Sequence, residues 1–219
     1  INRLAVENLA VVCKETNATL IHVSTDYVFG GNRNLPYRED EPTDPLGAYG
    51  RTKLAGEQAV EQSGCRYLIF RTAWLYFAFG NNFVKTIQRL TVEREQLNVV
   101  FDQVGTPTYA ADLATLIVHA IETGKYRQHQ GIYHFSNEGV CSWYDFAKEI
   151  FRQAVELGRD EYSEQNVQVS PVTTKEYGVS KAARPFNSRL DKKKLIDNGF
   201  KPLPSWQDAV GRYLKDIEF

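Results

Sequence analysis

The chain has no methionine and only three cysteines among its 219 residues. These cysteines, Cys13, Cys65 and Cys141, are far apart, and none lies at metal-ligand spacing from another cysteine or a histidine pair. We therefore expect reduced thiols in or near the core. The four histidines, at positions 22, 119, 129 and 134, are equally scattered. On these grounds we predict no metal site.

The sequence also lacks an excess of charge of either sign. Its 26 basic and 27 acidic residues give a formal net charge of −1 and are spread along the whole length. Without a basic field to hold a phosphate backbone, polymeric nucleic acid is disfavoured as a partner. No apolar run approaches the length of a bilayer span, and the N-terminus lacks the order of a signal peptide. We therefore expect no membrane partner and a cytoplasmic location.

What is present is an alternation of helical and strand patterns. Helices are predicted over 4–13, 49–61, 82–95, 110–122, 142–157 and 206–217, and strands over 19–23, 67–70, 97–101 and 132–135. The strands are apolar, rich in β-branched residues and free of hairpin signals. This pattern predicts an α/β fold with a doubly wound parallel sheet covered by helices on both faces.

A glycine-rich turn is missing from this pattern. Doubly wound folds that bind dinucleotides carry such a turn after their first strand, and no G-x-G-x-x-G occurs here. Either no dinucleotide binds, or the first βαβαβ half precedes Ile1. Because the chain starts inside a helical pattern and has no initiator methionine, we expect the second: a C-terminal portion of a longer protein.

Tyr49 and Lys53 lie four residues apart on a predicted helix and so share one face. A phenol has a pKa of about 10 and releases its proton reluctantly near neutrality. A nearby ammonium group would lower that pKa and make the phenol a better acid toward a carbonyl oxygen. The pair is therefore suited to protonating an oxygen while a hydride reaches the adjoining carbon.

The spacing alone is weak evidence. Two further pairs share it, Tyr144 with Lys148 and Tyr177 with Lys181, and an exposed aromatic beside a solvated lysine is the ordinary alternative. Tyr49 differs because Ser24 and Thr25 end a buried strand, and ligands bind at the carboxyl ends of parallel strands. A hydroxyl there can bind the same carbonyl oxygen.

Several motifs carry a family resemblance in one sequence order. They are residues 24–30 (STDYVFG), 39–45, 49–53 (YGRTK), 71–76 (RTAWLY), 80–83 (GNNF), 102–108 (DQVGTPT) and 184–190 (RPFNSRL). Together they resemble the extended short-chain dehydrogenases/reductases, and most closely the dTDP-4-dehydrorhamnose reductases. The likeness covers nearly the entire chain. It implies a Rossmann-like fold, NADPH or NADH as cofactor, and reduction of the 4-keto group of dTDP-4-dehydro-L-rhamnose to dTDP-L-rhamnose.

The resemblance also implies catalytic and cofactor-binding residues. Tyr49 is expected to donate the proton, and Thr25 to bind the keto oxygen. Lys53 is expected to hold the nicotinamide ribose and to tune Tyr49. Val23 and Thr72, at strand ends, are expected to line the nicotinamide side, although Val23 is equally read as a core valine.

A second set of residues is implied to bind the nucleotide-sugar substrate, together with Thr25. Asp26, Tyr27 and Trp74 are expected against the sugar, with the indole offering a flat apolar surface. Asn82 and Arg184 are candidates for the diphosphate. The plainer interpretations are a helix cap for Asn82 and a surface loop residue for Arg184. The motif at 102–108 is interpreted only as a shaped turn.

The resemblance also suggests a division into domains. We predict the remainder of a dinucleotide-binding domain with the catalytic residues over 1–140. A small α/β substrate lobe is predicted mainly over 141–219, where prolines interrupt the alternation. Segments near 78–95 and 102–109 are expected to contribute to the lobe. A homodimer is left open.

Two other functions stay open from the sequence. The first is a nucleotide-sugar epimerase or dehydratase of the same superfamily, which would regenerate its bound cofactor within each cycle. The second is a non-catalytic subunit, because the regulatory subunit of methionine adenosyltransferase resembles this reductase family. One departure from the family pattern bears on the sugar pocket: residues 77–79 (FAF) are more apolar than the small polar residues expected there.

Overall fold

The computed structural model describes residues 1–178 and 184–217. The helices are α1 (Leu4–Glu15), α2 (Ala48–Ser63), α3 (Phe83–Glu93), α4 (Ala110–Glu122), α5 (Lys125–Gln128), α6 (Trp143–Glu156), α7 (Thr174–Tyr177), α8 (Lys193–Asp197) and α9 (Trp206–Asp216). The strands are β1 (Thr19–Thr25), β2 (Arg66–Thr72), β3 (Leu75–Tyr76), β4 (Gln96–Val100), β5 (Val104–Gly105), β6 (Thr108–Tyr109), β7 (Gly131–Phe135), β8 (Cys141–Ser142) and β9 (Gln168–Val172). Short 3₁₀ turns lie at Asp26–Val28 and Asp160–Tyr162.

The chain folds into two compact units that are each discontinuous in sequence. The first unit comprises residues 1–73 and 113–136, with the described part of 182–202. The second comprises residues 74–112, with the described parts of 137–181 and 203–219.

A parallel sheet forms the centre of the first unit, with its strands in the order β1-β2-β7. The centre of its middle strand β2 is apolar, and Leu68, Ile69 and Phe70 are fully buried. Helices α1 and α2 pack together beside β1. In the register of β1 against β2, the last pair is Thr25 with Thr72. The two threonines therefore stand side by side where both strands end.

A buried ion pair ties helix α2 to the sheet. Arg71 of β2 and Glu57 of α2 are 3% and 1% exposed and form a forked contact, with Nη2 to Oε2 at 2.7 Å. The Arg71 guanidinium also donates to the carbonyl of Glu39 and lies over the ring of Phe29. Such a pair fixes orientation well, because breaking it would leave a buried charge without a partner.

The second unit is built from short strand pairs around an aromatic core. Strand β3 pairs with β6 in parallel, and β4 pairs with β9 in parallel. Strand β5 pairs with β8 in antiparallel orientation. Helices α6 and α9 supply much of the core, with Phe146, Ile150, Val210 and Tyr213 fully buried. A capping box at Ser142 and Asp145 starts α6.

The predicted α/β fold with parallel strands is confirmed, and the predicted helices are found within about two residues of their expected bounds. The alternation did not reveal the short strands β3, β5, β6, β8 and β9. The strands β3, β5, β6 and β8 have only two residues each and therefore leave no periodic signal. Periodicity also does not show which strands pair, so the pairing of β4 with β9 outside the main sheet was not predicted. Within the described ranges, no helix is long and apolar enough to cross a membrane.

Candidate active site

The turn that follows β1 holds the first group of polar side chains. Thr25 is 5% exposed, and its Oγ1 donates to Asp26 Oδ1 at 2.9 Å and accepts from the Tyr27 backbone N–H at 3.2 Å. The β conformation of Thr25 followed by a 3₁₀ turn makes it the N-cap of that turn. Its hydroxyl is therefore held at the carboxyl end of a parallel strand.

Tyr49 reaches this turn from the second position of α2. Its ring packs edge-on against Tyr27, with centroids 5.7 Å apart, and the side chain stays about half exposed. Burial raises the pKa of Tyr49, a hydrogen bond with Thr25 acts in the opposite direction, and the Asp26 charge raises it further. Since Thr25 has one hydroxyl proton, it can donate to either Asp26 or Tyr49 at a given moment.

Gly50 explains how α2 approaches so closely. A methyl group at this position would overlap the carbonyl oxygen of Tyr27 and would come within 2.9 Å of Pro45 Cβ. Only glycine leaves room for that contact. Sequence reasoning did not single out Gly50, although its place directly after Tyr49 was visible.

The Lys53 ammonium group is bound by the backbone near the end of β1. Its Nζ donates to the carbonyl of Val23 at 2.6 Å. Burial lowers the pKa of Lys53, and the nearby Glu57 carboxylate raises it. The expected lowering of the Tyr49 pKa is wrong, because burial of the phenol outweighs every other influence and the pKa of Tyr49 is raised. The half-buried Val23 contributes the backbone carbonyl that binds this ammonium group, and its place beside the nicotinamide stays a prediction.

Buried hydroxyls line the ends of β1 and β2. Ser24 and Thr72 are 3% and 6% exposed, and among the described atoms neither Ser24 Oγ nor Thr72 Oγ1 has a hydrogen-bond partner. Such groups normally find a partner, since desolvating a hydroxyl costs free energy. Their position at the ends of parallel strands makes them candidates to bind a polar ligand.

Asp26 is the most strongly perturbed acid of the site. It is 3% exposed, and burial raises its pKa to about 6, although the hydroxyls of Ser188 and Thr25 stabilise the carboxylate. Close by, burial and the Asp26 charge raise the pKa of Tyr27, while Arg184 lowers it. Arg184 is exposed, so a charged ligand can reach it.

The remaining implied residues, Trp74 and Asn82, lie in the second unit. Trp74 is half-buried, and its indole stacks on that of Trp143 with ring centroids 3.6 Å apart. Asn82 caps α3: its Oδ1 accepts from the Lys85 backbone N–H at 3.1 Å, and its Nδ2 donates to the carbonyl of Phe77 at 2.6 Å. Both ends of the Asn82 amide are thus engaged within its own segment.

The other tyrosine–lysine pairs have different surroundings. Lys148 forms an ion pair with Glu164, and Tyr144 packs against the aromatic core of the second unit. Tyr177 is exposed, and Lys181 lies outside the described residues. For the part of the chain that is described, no group of three or more acidic, histidine or cysteine side chains is arranged to hold a metal ion.

A comparison with known proteins adds to this geometry. The family model described as RmlD substrate binding domain matches residues 1–219. The chain belongs to this family. The dTDP-4-dehydrorhamnose reductase of Escherichia coli K12 is 42% identical over 218 residues, covering 99% of this chain and 72% of that enzyme. The resemblance inferred from the motifs is thereby confirmed.

Two solved structures agree with this family assignment. The dTDP-4-dehydrorhamnose reductase of Bacillus anthracis, in complex with NADP, superposes with a TM-score of 0.88 at 43% identity, covering 99% of this chain and 72% of that one. The enzyme of Clostridium acetobutylicum gives 0.89 at 39% identity, covering 100% and 73%. The Rossmann-like α/β character of the chain is confirmed by these neighbours.

Proposed function

We propose that this protein reduces the 4-keto group of dTDP-4-dehydro-L-rhamnose to give dTDP-L-rhamnose, with NADPH or NADH as hydride donor. The observation that carries the proposal is the convergence of the Thr25 hydroxyl and the Tyr49 phenol at the end of β1. The names of the similar reductases and the NADP of one of them support it.

The chain's own residues fit a nicotinamide cofactor. Lys53 engages one of its three N–H donors with Val23, so donors are left for ribose hydroxyls. The unpartnered Thr72 Oγ1 offers a polar atom at the neighbouring strand end. The cofactor, when bound, supplies the hydride that reaches the sugar carbonyl carbon.

Tyr49 would donate its proton to the carbonyl oxygen as negative charge develops there. Thr25 would bind the same oxygen or the phenolate that Tyr49 leaves behind, and either contact lowers the barrier to proton transfer. Because Tyr49 is about half exposed, water can return the proton afterwards. Its raised pKa keeps the phenol protonated, and therefore ready to donate, at neutral pH.

We assign substrate contacts in the same way. Asp26, Tyr27 and Trp74 would contact the sugar, and the exposed Arg184 would pair with the diphosphate. For Asn82 the contribution would be indirect, since its side chain holds the N-terminus of α3. The assignment of 1–140 to a dinucleotide-binding domain and of the tail to a substrate lobe is part of this proposal. A cytoplasmic location and a homodimer stay predictions.

The experiment is to supply the protein with NADPH and dTDP-4-dehydro-L-rhamnose. The absorbance of NADPH and the amount of dTDP-L-rhamnose formed are then followed together. The proposal expects one NADPH oxidised for each dTDP-L-rhamnose formed. Turnover of a nucleotide sugar without net NADPH loss would point to an epimerase or dehydratase. Co-purification with a synthetase and no turnover would point to a regulatory subunit.

A further inference from the structure

The backbone of Trp74 adopts an unusual conformation. Its φ of +49° lies in the left-handed region that bulky side chains rarely occupy. Its carbonyl accepts a hydrogen bond from the Thr108 N–H at 3.2 Å, and the pairing of β3 with β6 begins at the next residue. Strain of this kind persists only where the surroundings fix the residue.

Two neighbours restrain the indole of Trp74. The ring of Trp143 lies nearly parallel to it, with an interplanar angle of 10°. A Cβ added to Gly105 would come within 2.7 Å of Trp74 Cε2 and 3.0 Å of its Nε1. The φ of Gly105 is not in the left-handed region, so this position requires glycine for space and not for conformation.

The short β5–β8 ladder brings these neighbours together. Gly105 pairs with Cys141, and Val104 pairs with Ser142, the N-cap of α6. Trp143 follows as the first residue of the helix. The antiparallel pairing therefore brings the segment that contains Gly105 alongside the start of α6, where Trp143 lies.

A chain of hydrogen bonds fixes Trp143 in turn. Its Nε1 donates to Gln103 Oε1 at 3.2 Å, and Gln103 Nε2 donates to Thr174 Oγ1 at 3.0 Å. Thr174 Oγ1 then donates to Asp102 Oδ1 at 2.6 Å. Gln103 is 5% exposed, and because an indole can only donate, its amide oxygen must face Trp143.

We propose that Trp143, together with Gln103 and Gly105, is a positioning group for Trp74 that sets the affinity of the protein for its sugar. The motif at 102–108, which had no role beyond a shaped turn, thereby gains one. The sugar contact of Trp74 rests on the proposed function, whereas the fixed indole pair does not. A rigid indole loses no rotamer freedom on binding, so the apolar contact is realised at full strength.

Circular dichroism tests the fixed pair without substrate. Two stacked indoles couple their electronic transitions, and the coupled pair gives a positive and a negative band when the transition dipoles are rotated relative to each other about the stacking axis. We expect this couplet in the wild type and its loss in Trp143→Leu and in Gly105→Ala. Trp206→Phe is the matched control, because Trp206 is buried in the same unit and its Nε1 has no hydrogen-bond partner among the described atoms. A couplet that survives in Trp143→Leu would overturn the proposal.

Steady-state kinetics tests the consequence. We expect Trp143→Leu to raise the KM for the nucleotide sugar about tenfold or more, with kcat and the KM for NADPH changed less than about twofold. Trp143→Phe should recover part of the loss. An unchanged sugar KM after loss of the couplet would contradict the positioning role. If the wild type oxidised no NADPH with this sugar, the sugar contact would fall with the proposed function. Loss of the couplet in Trp143→Leu but not in Trp206→Phe would still support the fixed pair.

Discussion

Replacing Asp26 by asparagine should change how the stability of the protein depends on pH. The folded state raises the pKa of this buried carboxyl from 3.8 to about 6. Folding therefore favours the protonated acid, and the wild type loses stability as pH rises from the unfolded-state pKa through the folded-state value. A difference of about two pKa units corresponds to about 3 kcal/mol in the free energy of unfolding.

The asparagine keeps an oxygen that can accept from Thr25 but carries no titrating proton. The free energy of unfolding of Asp26→Asn minus that of the wild type should rise by about 2 kcal/mol between about pH 4.5 and 7.5. All other groups titrate alike in both proteins, so they cancel in this difference.

Urea unfolding at a series of pH values measures the difference directly. Asp40→Asn is the control, because the Asp40 side chain is 72% exposed, and we expect its difference to stay nearly flat. A flat difference for Asp26→Asn as well would refute the burial argument. A difference that falls with pH would show that the site stabilises the carboxylate.

Three further predictions address the scaffold and the hydroxyl. Glu57→Gln should lower the free energy of unfolding by about 3–5 kcal/mol in chemical denaturation, because it leaves the buried Arg71 unpaired; a loss below 1 kcal/mol would contradict this. Gly50→Ala should destabilise the protein and lower kcat, whereas Gly47→Ala, whose added methyl meets nothing within 4 Å, should cost less than about 1 kcal/mol. If the two substitutions lowered the free energy of unfolding equally, the close approach of Gly50 to the Tyr27 carbonyl would be contradicted. Thr25→Val should lower kcat about 10- to 100-fold in the NADPH assay, with NADPH binding retained; an unchanged kcat would exclude a role for this hydroxyl.

Periodicity was sufficient to predict the larger elements and, through them, the strand-end position of Thr25. The 3.6-residue spacing placed Tyr49 and Lys53 on one helix, and the polar ending of β1 supplied their counterpart. Periodicity does not show which group each polar side chain contacts or whether its pKa is raised or lowered. The sequence predicted that the pKa of Tyr49 would be lowered by Lys53, whereas burial raises that pKa and the Lys53 ammonium group donates to the Val23 carbonyl.

Contacts between distant segments were equally beyond the pattern. The Glu57–Arg71 pair joins a helix to a strand through two residues that look like ordinary surface charges in sequence. The stacking of Trp74 on Trp143 joins segments almost 70 residues apart, and the neighbouring ladders, β3–β6 and β5–β8, have two residues each and are too short to leave a periodic trace. The need for glycine at position 105 becomes evident only from the position of the Trp74 indole beside it.

The most direct test of the account is the rate of NADPH oxidation by Tyr49→Phe with saturating dTDP-4-dehydro-L-rhamnose. Because phenylalanine keeps the ring against Tyr27 and removes only the acidic hydroxyl, we expect kcat to fall by about 100-fold or more while NADPH still binds. A kcat within about twofold of the wild type would show that another group protonates the sugar oxygen.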